Sequence, residues 1–149
     1  MILVFDVGNT ETVMGLFEAG ALLDHWRFST QPERTVDEVG LLVRSFVRES
    51  GFDVGLIRAA AIASVVPPVT PILAEMCERH LGVVAAVIDA RSPLPIRLDV
   101  DEPLTVGADR VVNTLAAATL FRRDTIAVDL GTATTFDCIT GDGVFIGGI

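Results

Sequence analysis

The chain opens on a short apolar block, Ile2 to Phe5, that stops at Asp6, and two further runs of strand-like composition cover 12–18 and 21–29. Gly8-Asn9 and Ala19-Gly20 sit between these runs as turn pairs. The pattern therefore predicts strands over 2–6, 12–18 and 21–29 in an antiparallel meander. Polarity then changes period. In "TVDEVGLLVRSFVRES", 35–50, apolar positions recur at helical spacing behind a threonine cap, Thr35, with an acid three residues on, Glu38, and the run stops at Gly51. "AAAIASVV", 59–66, reads as a buried strand ended by Pro67-Pro68; 69–81 reads as a helix stopped by Gly82, and 83–88 as a fifth strand. Strands separated by helices pair in parallel, so the first ninety residues predict a mixed five-stranded sheet with helices packed on it.

Residues 89–106 break the pattern with Pro93, Pro95, Pro103 and several acids, and 91–106 reads as a connection between two domains, 1–90 and 107–149. "GADRVVNTLAAATLFRR", 107–123, is alanine- and leucine-rich and predicts a helix, with Asp109 in its first turn, where the helix dipole favours an acid. Arg122 and Arg123 fall where cations complement the opposite end.

The next segment repeats the opening. Setting "LVFDVGNTETVMG" beside "IAVDLGTATTFDC" puts Asp6 on Asp129, Gly8 on Gly131, Asn9 on Thr132 and Thr12 on Thr135, an offset of 123 residues. A strand ending in Asp-x-Gly before a hydroxyl-bearing turn, seen twice at domain-sized separation, predicts two copies of one supersecondary unit. Such turns carry more polarity than a hairpin needs. Glycine admits backbone amides close to a phosphate, threonine and asparagine add donors, and the aspartate supplies negative charge for a cation.

Composition narrows the ligand. Half of the residues are hydrophobic, enough for a real core, and the net charge of −9 opposes binding to a nucleic-acid backbone. All eleven basic residues are arginines, so a Walker-type loop, which needs lysine, is excluded; a phosphate site here must use amides, hydroxyls, arginine or metal. No apolar run is long enough for a membrane span or a signal peptide, which leads to the expectation of a cytoplasmic protein without membrane contact. Cys77 and Cys138 lie far apart, and neither they nor His25 and His80 have metal-ligand spacing, so all four read as packing or strand residues.

"DVGNT" at 6–10, "GADR" at 107–110 and "DLGTATTFD" at 129–137, in that order, resemble type III pantothenate kinase, within the superfamily of sugar kinases, acetate kinase and actin. The resemblance implies an α/β, ribonuclease-H-like (actin-like ATPase) domain followed by the beginning of a second similar domain. It implies ATP-dependent phosphorylation of pantothenate to 4'-phosphopantothenate, the first step of coenzyme A biosynthesis, by a homodimer that uses a monovalent cation, potassium or ammonium, together with magnesium. By matching positions, Asp6, Val7, Gly8, Asn9, Thr10, Glu11, Thr12 and Val13 would form the phosphate turn. Gly107, Ala108, Asp109 and Arg110 would contact pantothenate, with Asp109 as general base; Asp129 would hold the monovalent cation and Thr132 would touch ATP.

The chemistry is compatible with those roles. Phosphoryl transfer needs positioning, charge neutralisation and a carboxylate within reach of the attacking hydroxyl, and a planar guanidinium such as Arg110 can pair with a carboxylate as a fork. Three departures stand out. Glu11 puts an acid beside the phosphate turn, where it either points outward or binds magnesium; Val100 occupies the place of a tyrosine that contacts substrate in relatives; and the resemblance leads to the expectation of about a hundred further residues after "GVFIGGI". The second domain is accordingly expected to hold its first three strands without their covering helices, exposing an apolar face. The alternative reading is a non-catalytic nucleotide-binding or regulatory protein, or an inactive fragment, on the same scaffold.

Overall fold

The three opening runs form β1 (Ile2–Val7), β2 (Glu11–Glu18) and β3 (Ala21–Ser29), a meander whose second turn places Ala19 and Gly20 both at positive φ. That two-residue geometry matches the twist of the flanking strands, and glycine takes half of it without a steric penalty. The computed structural model describes residues 1–149. They divide into two compact units, Met1–Val87 and Ile88–Ile149.

In the first unit β4 (Ala59–Ser64) adds in parallel to β1, and β5 (Ala85–Ile88) lies beyond it, giving a mixed five-stranded sheet in the order β3-β2-β1-β4-β5. Helix α1 (Val36–Glu49) begins with the capping box that its sequence predicts: Thr35 Oγ1 accepts from the Glu38 amide, and the Glu38 carboxylate accepts from the Thr35 amide at 2.7 Å. Such a cap is worth about 1 kcal/mol. Helix α2 (Val69–Met76) continues into one wider turn, Cys77–Leu81, which Gly82 closes at φ 69°. Leu3, Phe5, Val7, Met14, Leu16 and Ile62 of the sheet meet Val43 and Val47 of α1 and Leu73 and Met76 of α2 in the core. At Gly40 an added Cβ would lie 2.5 Å from two ring carbons of His80, so the missing side chain is what lets α1 approach that ring. His80 Nε2 in turn meets Asp37 Oδ1 at 2.9 Å, a structural contact across the α1–α2 packing.

The second unit is a four-stranded sheet in the order β6-β9-β8-β7, built from β6 (Arg97–Leu98), β7 (Thr125–Leu130), β8 (Thr134–Ile139) and β9 (Val144–Gly148). The stretch read as a connecting loop contains β6, because the Arg97 and Asp99 amides donate to the Gly143 and Phe145 carbonyls and so draw it alongside β9 in parallel. Helix α3 (Ala108–Phe121) covers one face over a small core of Ala117, Ile139 and Phe145. The other face leaves Ile126, Val128, Leu130 and Phe136 exposed. No helix is long and apolar enough to cross a membrane.

Candidate functional site

The first turn, Gly8 to Glu11, joins β1 to β2 with Val7 opposite Thr12. The Gly8 amide donates to the Glu11 carbonyl, and the Thr30 amide to the Thr10 carbonyl, so the turn is braced by the residue after β3. A hydroxyl chain locks it further: Thr30 Oγ1 donates to the Gly8 carbonyl at 2.7 Å and lies 2.9 Å from Thr12 Oγ1. Thr30 has a single hydroxyl proton, so Thr12 is the donor of the second bond. Thr12 is fully buried and Val7 nearly so, while Asp6, Asn9, Thr10 and Glu11 are exposed and Gly8 and Val13 partly so. Asp6 and Val13 sit opposite each other on the strand face away from the core. Glu11 points outward to Arg27, with 3.1 Å between its carboxylate and the guanidinium.

The second hairpin repeats the first with one residue fewer in its loop. Leu130 pairs with Thr134 across Gly131, Thr132 and Ala133, whereas Val7 and Thr12 are separated by four residues. A one-residue change reverses which face the paired strand presents. At the 123-residue offset the second strands keep their orientation: Thr12, Met14 and Leu16 match Thr135, Asp137 and Ile139, all on the helix-covered side. The first strands do not. Leu3, Phe5 and Val7 are buried, while their counterparts Ile126, Val128 and Leu130 are exposed. Asp129 thus lies opposite Thr135, on the same face as Ala127 and Asp137, and Thr132 is exposed at the loop.

The start of α3 stands over this face. Gly107 is the cap residue, Ala108 is buried, and the Asp109 carboxylate accepts a 2.8 Å bond from the Arg110 amide, one of the donors that a helix start leaves without an intrahelical partner. Arg110 Nε lies 3.4 Å from Asp137 Oδ1. Asp137 is 1 % exposed, and neither of its oxygens has a hydrogen-bond partner within normal limits. Burial pushes its carboxyl above the ordinary aspartate range; the Arg110 guanidinium and the nearby Asn113 side chain pull it down, and Asp109 and Asp129 add to the upward push. Arg110 also lines an open cavity of about 530 Å³ in the second unit, with Thr105, Gly107, Phe145, Gly147 and Gly148 among its walls. Val100, Asp101 and Glu102 complete that rim, so an apolar side chain occupies the position of the expected tyrosine.

Of the residues expected at a site, the second unit brings together Gly107, Asp109, Arg110 and Asp129, and the first unit gathers Asp6 through Val13 in one turn. Asp137, which closes the "DLGTATTFD" stretch, and Thr30 have no role in the motif-based expectations. The signal for Asp137 was present in the repeat, which aligns it with the core residue Met14 and so places a carboxylate at a core-facing position.

The model of the type III pantothenate kinase family matches residues 2–149. The chain belongs to that family. A type III pantothenate kinase of Myxococcus xanthus is 43% identical over 148 residues, covering 99% of this chain and 58% of that protein. The same enzyme of Thermobifida fusca is 43% identical over 151 residues, again over 99% of this chain and 58% of its own length. The chain therefore spans somewhat under three fifths of the curated kinases it matches. Among solved structures, an N-acetylglucosamine kinase candidate from Porphyromonas gingivalis superposes with a TM-score of 0.55 at 21% identity over 100% of this chain and 47% of that one. A reductive activator for a corrinoid, iron-sulfur protein gives 0.60 at 12% identity over 94% and 29%. These two likenesses extend the kinase family's scaffold to the wider sugar-kinase and actin-like ATPase fold.

Proposed function

We propose that this chain carries the substrate-handling elements of a pantothenate kinase, which transfers the terminal phosphoryl group of ATP to the hydroxyl of pantothenate. The observation that carries the reading is the start of α3, where Asp109 is fixed by a 2.8 Å bond to a backbone amide beside a guanidinium that faces a cavity of about 530 Å³. A carboxylate so fixed can accept the proton of an attacking hydroxyl, provided substrate places that hydroxyl within about 2.6–3.2 Å. Arg110 supplies a fork for the pantothenate carboxylate, and Gly107 and Ala108 bring the backbone to the same site.

The turn from Asp6 to Val13 would take the nucleotide phosphates. In that role the exposed Asp6, Asn9 and Thr10 face the ligand, the exposed Glu11 is turned to Arg27, and Val7 and Thr12, buried beneath, hold the turn's shape. Thr132 would contact ATP from the second hairpin. No group of three or more acidic, histidine or cysteine side chains converges as a metal cage. Magnesium would come bound to the nucleotide, and Asp129 would offer its carboxylate oxygens to potassium or ammonium. A bound cation would neutralise phosphate charge. Homodimer formation and a cytoplasmic location belong to the same proposal.

The test is ADP release with ATP, magnesium, potassium and pantothenate, on this chain and on Asp109→Asn. Pantothenate-dependent release that falls by about 10²-fold or more in the variant is expected. Release that ignores pantothenate, release that survives Asp109→Asn, or absence of both turnover and pantothenate binding would refute it.

A further inference from the structure

Asp137 presents a physical puzzle that the roles above do not absorb. It is 1 % exposed, neither oxygen has a partner within hydrogen-bond geometry although the Asn113 side chain lies close enough to favour its charged form, and it occupies the position where the first repeat buries Met14. An apolar side chain there would avoid an unsatisfied buried carboxylate, so stability gives no reason for the acid. Its one close charged contact is Arg110, Nε to Oδ1 at 3.4 Å. The neighbouring strand leaves room at that contact. A Cβ on Gly148 would collide first with the Phe136 carbonyl oxygen, and would also lie 2.6 Å from Asp137 Oδ1 and 3.3 Å from Arg110 Nη1.

Arg110 itself is only 26 % exposed and is the sole cation in the cavity wall, whose rim also carries Asp101 and Glu102. A guanidinium has donors on two edges. Its Nε lies against Asp137 at ion-pair distance without forming a hydrogen bond, which leaves the Nη groups for a ligand. We propose that Asp137 is a positioning residue: it holds the Arg110 guanidinium by the Nε edge, beneath Gly148, so that the Nη edge reads the carboxylate of the substrate in the cavity. The proposal rests on the pantothenate reading for the identity of that carboxylate. Asp137 touches no substrate; it sets the angle of the fork and, by its charge, keeps the arginine from swinging out to Asp101 or Glu102.

The arginine Nε–H resonances of the isotope-labelled full chain test this directly, with the Arg110 signal identified by its loss in Arg110→Gln. The expected result is an Arg110 Nε–H that exchanges slowly and stands apart from the exposed arginines, and that rejoins them in Asp137→Asn. Titration of the same samples with pantothenate and with its neutral alcohol analogue, pantothenol, reads the consequence. Wild type is expected to prefer pantothenate by about tenfold or more, and Asp137→Asn to lose most of that preference with the pantothenol affinity unchanged. A wild-type Arg110 Nε–H like those of exposed arginines overturns the proposal without any variant. So does a full carboxylate preference retained in Asp137→Asn. A held Nε–H, released in Asp137→Asn, in a chain that binds neither compound overturns the substrate half through failure of the pantothenate reading and leaves the positioning contact supported.

Discussion

The hydroxyl chain under the first turn makes a quantitative prediction. Thr12 donates to Thr30, and Thr30 donates to the Gly8 carbonyl, at 2.9 and 2.7 Å. Thr12→Val keeps the shape and removes one neutral hydrogen bond, for a loss of about 1 kcal/mol. Thr30→Val removes two, and leaves the fully buried Thr12 hydroxyl without an acceptor, so about 2 kcal/mol of lost bonds is joined by about 1–3 kcal/mol for the stranded donor. In the double variant no donor is stranded, and the loss returns to about 2 kcal/mol. Adding Thr12→Val to Thr30→Val is therefore expected to restore stability. Urea titration followed by Trp26 measures it, since that sole tryptophan packs on Phe46 at 6.4 Å and reports the first unit. Additive losses, or a Thr30→Val no worse than Thr12→Val, would refute the assignment of donors.

Three further outcomes follow from the same physics. Burial raises the Asp137 carboxyl above its ordinary 3.8, so the folded state resists its ionisation: the penalty is absent below that pH, grows as pH rises, and is complete above the raised value. Relative to wild type, Asp137→Asn is expected to gain stability as pH rises from about 3.8 to neutral, in denaturant titrations at each pH; a difference that does not change with pH, or that moves against the variant, would contradict this. Cys77 is buried and its thiol is pushed up to about 12, whereas Cys138 is partly exposed, so a thiol reagent should titrate one cysteine in the native chain and two in denaturant. The exposed Ile126, Val128, Leu130 and Phe136 should drive concentration-dependent self-association in sedimentation, reduced by Val128→Lys with little loss of folded structure.

Much of the first unit was legible because its signals are local. The capping box at Thr35 and Glu38, the turn pair Ala19-Gly20 and the stop at Gly82 act within a few residues, and the alternation from strand to helix implies the parallel β1–β4 pairing. Helix α2 ends at Met76 rather than 81, since its last turn widens, and no sequence period announces that. The internal repeat located both hairpins. It hid the shorter second loop, because matching residues by a constant offset assumes equal turns, and the one-residue difference reverses β7 without altering the match at Asp129. Gly40 and Gly148 were equally opaque: their meaning lies in His80, and in the Phe136 carbonyl and the Asp137–Arg110 pair, contacts between residues distant in sequence. Asp109 and Arg110 were legible as motif positions at a helix start; the buried carboxylate beneath Arg110 emerged only when the strands were assembled.

The most direct test of the kinase reading is the fate of the phosphoryl group. The chain is incubated with ATP, magnesium, potassium and pantothenate, and the products are separated and weighed by mass spectrometry. A phosphate ester of pantothenate in proportion to the ADP formed, absent with Asp109→Asn, is the expected result. ADP accompanied by inorganic phosphate alone, or an ester formed equally by the variant, would contradict it.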